Sequence, residues 1–80
     1  MSEKSKYQLY LYDLGLLIKE YALEAKARAN EKTGEDRAFE RGIVFGYMNV
    51  MGVIQDEARA FGIGLDELQL DGFDPERELL

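Results

Sequence analysis

The sequence predicts an all-α protein: an antiparallel two-helix hairpin with a short acidic C-terminal helical segment, dimerising into a four-helix bundle. Three observations lead there. Apolar side chains recur at helical spacing along two long runs, about residues 6–32 and about residues 35–61. Only "TGED" interrupts them, and so short a connection makes the two helices antiparallel neighbours. Each run also carries more apolar surface than one helix–helix contact covers.

The first helix begins next to Ser5, because "SKYQ" places Gln8 three residues later, in a capping-box arrangement. "YQLYLY" has the aromatic content and partial alternation of a strand, but its apolar phase continues for several further turns, which favours helix. "EYALEAKARANEK" then adds strong helix formers. At about 100° per residue, this helix has a wide apolar face of Tyr7, Tyr10, Leu11, Leu14, Leu17, Ile18, Tyr21, Ala22 and Ala25. A narrower face carries Leu9, Tyr12, Leu16, Leu23 and Ala27. Gln8, Lys19 and Lys26 form the polar band on one side between them, and Asp13, Glu20, Glu24 and Glu31 the band on the other.

Gly34 can close the first helix, and Thr33 or Asp36 can open the second. The second helix has a wide face of Phe39, Ile43, Gly46, Tyr47, Val50, Val53, Ile54, Ala58 and Phe61. Its middle turns, within the uncharged run "GIVFGYMNVMGVI", add a second patch of Val44, Phe45, Met48, Met51 and Gly52, bounded by charge at Arg37, Arg41, Asp56 and Arg59. Gly62 stands where a left-handed cap belongs, and Ile63 can fold back on the last turn. The expectation is that the two wide faces close the hairpin. That leaves Leu9, Tyr12 and Leu16 of the first helix and Val44, Phe45, Met48, Asn49, Met51 and Gly52 of the second as the interface for another copy or another protein.

The tail, residues 62–80, is expected to be ordered. "DPERE" offers Asp74 as N-cap, Pro75 at the first helical position and Glu76 in the first turn. Leu65, Leu68 and Leu70 suit a short helical turn, and Phe73, Leu79 and Leu80 are expected to return to the hairpin. With 80 residues and no internal repeat, the chain makes one small domain. Its hydrophobic fraction of 46% is enough to argue against wholesale disorder.

Charge is unevenly placed. Residues 1–55 hold eight acidic and eight basic side chains, whereas residues 56–80 hold eight acidic and two basic, so the entire net charge of −6 lies in the last segment. Direct binding to nucleic-acid phosphates is disfavoured, and a basic protein is the natural charged partner. Asp66, Glu67, Asp71, Asp74, Glu76 and Glu78 are the candidate contacts. They do not follow the alternating spacing of an EF-hand loop, and the chain has no Glu-x-x-His or Glu-x-x-Glu pair, so no metal and no cofactor is expected.

There is no cysteine and no histidine, which removes disulfides, thiolate sites and the commonest general base, and suits a reducing, cytoplasmic setting. The polar start "MSEKSKYQ" does not resemble a targeting segment, and the apolar stretch at 42–54 is too short to span a bilayer, so no membrane association is expected. Hydroxyl nucleophiles other than tyrosine are limited to Ser2, Ser5 and Thr33. Asn49 could pair with its symmetry mate across a dimer or reach solvent at the patch edge. Gly42 and Gly46 are spaced for close helix approach, or simply leave room for aromatic rings.

The resulting expectation is a non-enzymatic protein–protein interaction or regulatory protein, homodimeric through the second helix and docking a basic partner through its acidic segment. One alternative is an inhibitor from a phage or mobile element that mimics nucleic acid with its carboxylates. Another is a small dimeric enzyme in which Arg37, Arg41 or Arg59 holds an anionic substrate and Glu57 acts as acid or base.

Overall fold

The computed structural model describes residues 5–80; Met1–Lys4, including Ser2 and the first half of the polar start, lie outside the described residues. Those described form two long helices, α1 (Lys6–Glu31) and α2 (Gly34–Ala60), then a 3-10 turn (Leu65–Leu68) and a short helix α3 (Pro75–Leu79). No strand occurs among them, so "YQLYLY" is helical.

Local chemistry sets each boundary. The Gln8 backbone N–H donates to Ser5 Oγ at 3.2 Å, and the Ser5 N–H donates to Gln8 Oε1 at 2.8 Å, completing the capping box. Lys32 and Thr33 are the only residues between the long helices, and Gly34 takes φ +60, which a residue with a Cβ adopts at a cost. Glu35 and Asp36 follow in the first turn, where carboxylates favour the helix N-terminus. At the far end Gly62 has φ +70, Ile63 N–H donates to the Ala58 carbonyl at 2.7 Å, and Gly62 N–H donates to that of Arg59 at 3.1 Å. This is the Schellman pairing, and it turns the chain back toward the hairpin.

The hairpin closes along a seam of small residues. Ala22, Ala25 and Ala29 of α1 are buried, as are Val44, Met51 and Ala58 of α2. Alanines at this spacing let the helix axes approach, and the larger side chains of α2 fill the space between. This differs from the expected closure. The α2 wide face contributes Ala58 and its half-buried edge (Ile43, Tyr47, Ile54), whereas Phe39, Val50, Val53 and Phe61 are exposed.

The C-terminal segment explains the difference. It covers one flank of the hairpin, burying Leu68, Leu70, Pro75 and Leu79. Lys19 Nζ donates to the Gln69 carbonyl at 3.1 Å and Lys26 Nζ to that of Glu78 at 2.6 Å. Gln55, itself buried, donates to the Phe73 carbonyl at 2.8 Å, and Gln69 Nε2 donates to the Tyr12 carbonyl at 2.9 Å. The segment lies so close that a Cβ on Gly15 would fall on the Leu68 carbonyl, only 2.8 Å from its carbon. Burying several large apolar side chains at roughly 25 cal/mol per Å² rotates the preferred hairpin toward this flank.

Asp74 Oδ1 accepts the N–H of Glu76 at 3.1 Å and that of Arg77 at 3.5 Å, so it caps α3 behind Pro75. Asp74→Ala is expected to cost about 1 kcal/mol, as loss of an N-cap usually does. Chemical denaturation checks this, with Asp74→Asn expected to retain most of the stability.

Candidate functional site

The helical phase places two apolar stripes on the side of the hairpin away from the tail. On α1, Tyr10, Leu14, Leu17 and Tyr21 point opposite Lys19 and Lys26, the residues that hold the tail. On α2, Phe39, Ile43, Val50 and Phe61 point opposite Gly52, which lines the tail side. Because the helices are antiparallel neighbours, the stripes lie side by side and form one apolar flank. Ile18, Ile43, Gly46, Tyr47 and Val50 line a shallow groove between them. Ile18 and Tyr47 each stand near the middle of their helix, so the groove marks the centre of the flank. Arg28 and Glu40 form an ion pair at 3.5 Å near the turn end of the hairpin. Several rings are largely uncovered: Phe61 is 75% exposed, Phe39 71% and Tyr7 70%.

The interface expected from the sequence is divided by this arrangement. Val44 and Met51 are buried inside the hairpin and present no surface. Met48, Asn49 and Gly52 line a cleft between α2 and the tail, together with Phe73 and Pro75. Tyr12 and Leu16 are half-buried, and Tyr12 receives Gln69 through its carbonyl. Phe45 and Leu9 stay exposed, at the outer edges of the two helices. The patch that is surplus on an isolated hairpin is thus split between the hairpin seam, the cleft beside the C-terminal segment and open solvent.

The acidic candidates also separate into groups. Asp74 caps α3, Glu67 accepts the Gly64 N–H at 2.9 Å, and Glu78 pairs with Arg77 at 3.3 Å. Asp66, Asp71 and Glu76 are exposed on the outer face of the segment. Among the described residues, no group of three or more Asp or Glu side chains is arranged to hold a metal ion.

The residues considered for an enzyme do not converge. Arg41 and Glu57 are sixteen positions apart on one straight element, about 24 Å at 1.5 Å per residue. Arg59 pairs with Asp56 at 3.2 Å instead. No helix among the described residues is long and apolar enough to cross a membrane.

Gly15, Gln55 and Gln69 were not legible as tail contacts, because their partners are backbone carbonyls far along the chain. Lys19 and Lys26 left a signal: a lysine band between two apolar stripes is where carbonyl-bearing backbone can be received. No family model, no curated protein and no solved structure matches this chain.

Proposed function

We propose that this is a small non-enzymatic protein-interaction module of the cytoplasm, with the open apolar flank as its working surface. The observation that carries the reading is the flank itself: an α1 stripe from Tyr10 to Tyr21 beside an α2 stripe from Phe39 to Val50, with Arg28 and Glu57 as charges toward its two ends, on the side away from the tail. Large contiguous apolar patches on a small protein mark interaction surfaces. Tyrosine suits such a surface, since it offers apolar area with a polar tip: Tyr10 and Tyr21 belong to the α1 stripe, and Tyr47 lines the groove between the stripes.

The outer face of the tail is a second contact surface, for a basic protein. Asp66, Asp71 and Glu76 are exposed there, and the segment from residue 56 onward carries the whole net charge. Nucleic-acid mimicry is less well supported, because Asp74, Glu67 and Glu78 are engaged in caps or an ion pair.

Two variants separate the surfaces. Val50→Glu places a charge in the flank groove, while the combined Asp66→Asn, Asp71→Asn and Glu76→Gln chain neutralises the tail. Association through the flank should be lost in the first and kept in the second, with little dependence on salt. Docking of a basic protein should behave in the opposite way. If neither variant alters any association of the chain, the interaction reading is wrong.

A further inference from the structure

We infer that the flank is covered by a second copy of this chain, packed face to face so that two hairpins form a four-helix bundle with both acidic tails outside. This rests on the flank being an interaction surface and adds its occupant.

Area is the first argument. A hairpin of helices 26 and 27 residues long is about 39 Å long and roughly 20 Å wide, so one flank offers on the order of 800 Å². That is the ~800 Å² each partner contributes to a standard stable interface. An isologous dimer places the same patch on both sides, so the whole flank is used at once.

Charge is the second argument. Up to Ala60, where α2 ends, the chain carries a net charge of only −1, and the remaining −5 of the −6 resides in the tail on the opposite flank, six acidic residues against Arg77. Face-to-face packing keeps the two acidic segments about two helix layers apart, roughly 20 Å, beyond a Debye length of about 8 Å at physiological salt. Association through the tail flank would instead bring the two −5 tails together.

Gly46 fits the same packing: of the three α2 glycines whose added Cβ would meet nothing, Gly42, Gly46 and Gly52, it is the one that lines the flank groove. A Cβ there would meet nothing within 4 Å, and its backbone is ordinary helix, so the single chain has no steric need for glycine. Glycine nevertheless costs a helix interior ~1 kcal/mol relative to alanine. At the centre of the flank, its missing side chain lets a second helix settle into the groove.

The test is the mass of the purified chain by light scattering and sedimentation from low micromolar to sub-millimolar concentration. The expected result is twice the chain mass at the upper end, falling toward the chain mass on dilution. Val50→Glu and Gly46→Gln should both halve the mass at the upper end while keeping the helical circular dichroism of a folded hairpin. The Asp66→Asn, Asp71→Asn, Glu76→Gln chain should remain dimeric. A wild-type chain that is monomeric throughout overturns the second copy. If Val50→Glu then abolishes capture of a different protein, the interaction reading stands without it. A dimer whose mass is indifferent to both flank variants places the contact elsewhere and also overturns the inference.

Discussion

Gly15→Ala is expected to unseat the C-terminal segment. In an exposed helix the change would stabilise, since alanine has the better helix propensity by ~1 kcal/mol. Here the added methyl falls on the backbone carbonyl of Leu68, and no rotamer change can move a carbonyl aside. The segment is held next to that point at Gln69, whose carbonyl accepts from Lys19 and whose side chain donates to the Tyr12 carbonyl, so it cannot slide without losing those bonds. Overpacking of this kind costs typically 1–3 kcal/mol, and we expect about 2 kcal/mol net, or roughly 10 °C in Tm for a domain of this size. Hydrogen exchange gives the sharper reading. The Leu70 N–H, bonded to the Leu65 carbonyl at 2.9 Å, should lose protection, while the middle of α1 keeps it. Unchanged protection at Leu70 would show that the tail does not bear on Gly15.

The second large effect is at Met51. Its side chain is fully buried, at 0% exposure, in the seam where both helices and the tail meet. Met51→Ala should cost ~3 kcal/mol, within the 2–5 kcal/mol range for truncating a buried methionine. Val53, two residues on, is 62% exposed, and Val53→Ala should change stability by less than about 0.5 kcal/mol. Urea denaturation at matched protein concentration compares the two, because dimerisation would make the midpoint concentration-dependent. Equal losses at both sites would return the hairpin to closure through its wide faces.

That pair of residues shows where sequence reading stops. Helix existence was legible because it depends on local signals: the Ser5–Gln8 box, Gly34 at the turn, and Gly62 with Ile63 at the end of α2. Rotation of each helix about its axis was not, because both α1 and α2 carry two apolar faces and the choice between them is made by a third element. The tail makes that choice by burying Leu68, Leu70 and Leu79 against one flank. Its fixings are side chains reaching backbone carbonyls, as with Lys26 to Glu78 and Gln55 to Phe73, and no residue type in the tail advertises a carbonyl. Asp74 shows the converse: as a cap before Pro75 it was readable, because capping is a local duty met by the next two N–H groups.

The central claim is that one flank is filled by the chain's own tail while the other waits for a partner. Hydroxyl-radical footprinting at rising protein concentration tests it most directly, since it reports individual side chains. Met51, intrinsically among the most reactive side chains, should stay protected at every concentration. Tyr10, Tyr21 and Phe61, all exposed in the single chain, should be readily modified in dilute protein and become protected as concentration rises. Modification of Met51 in the dilute folded chain, or flank rings whose modification does not change with concentration, would contradict the account.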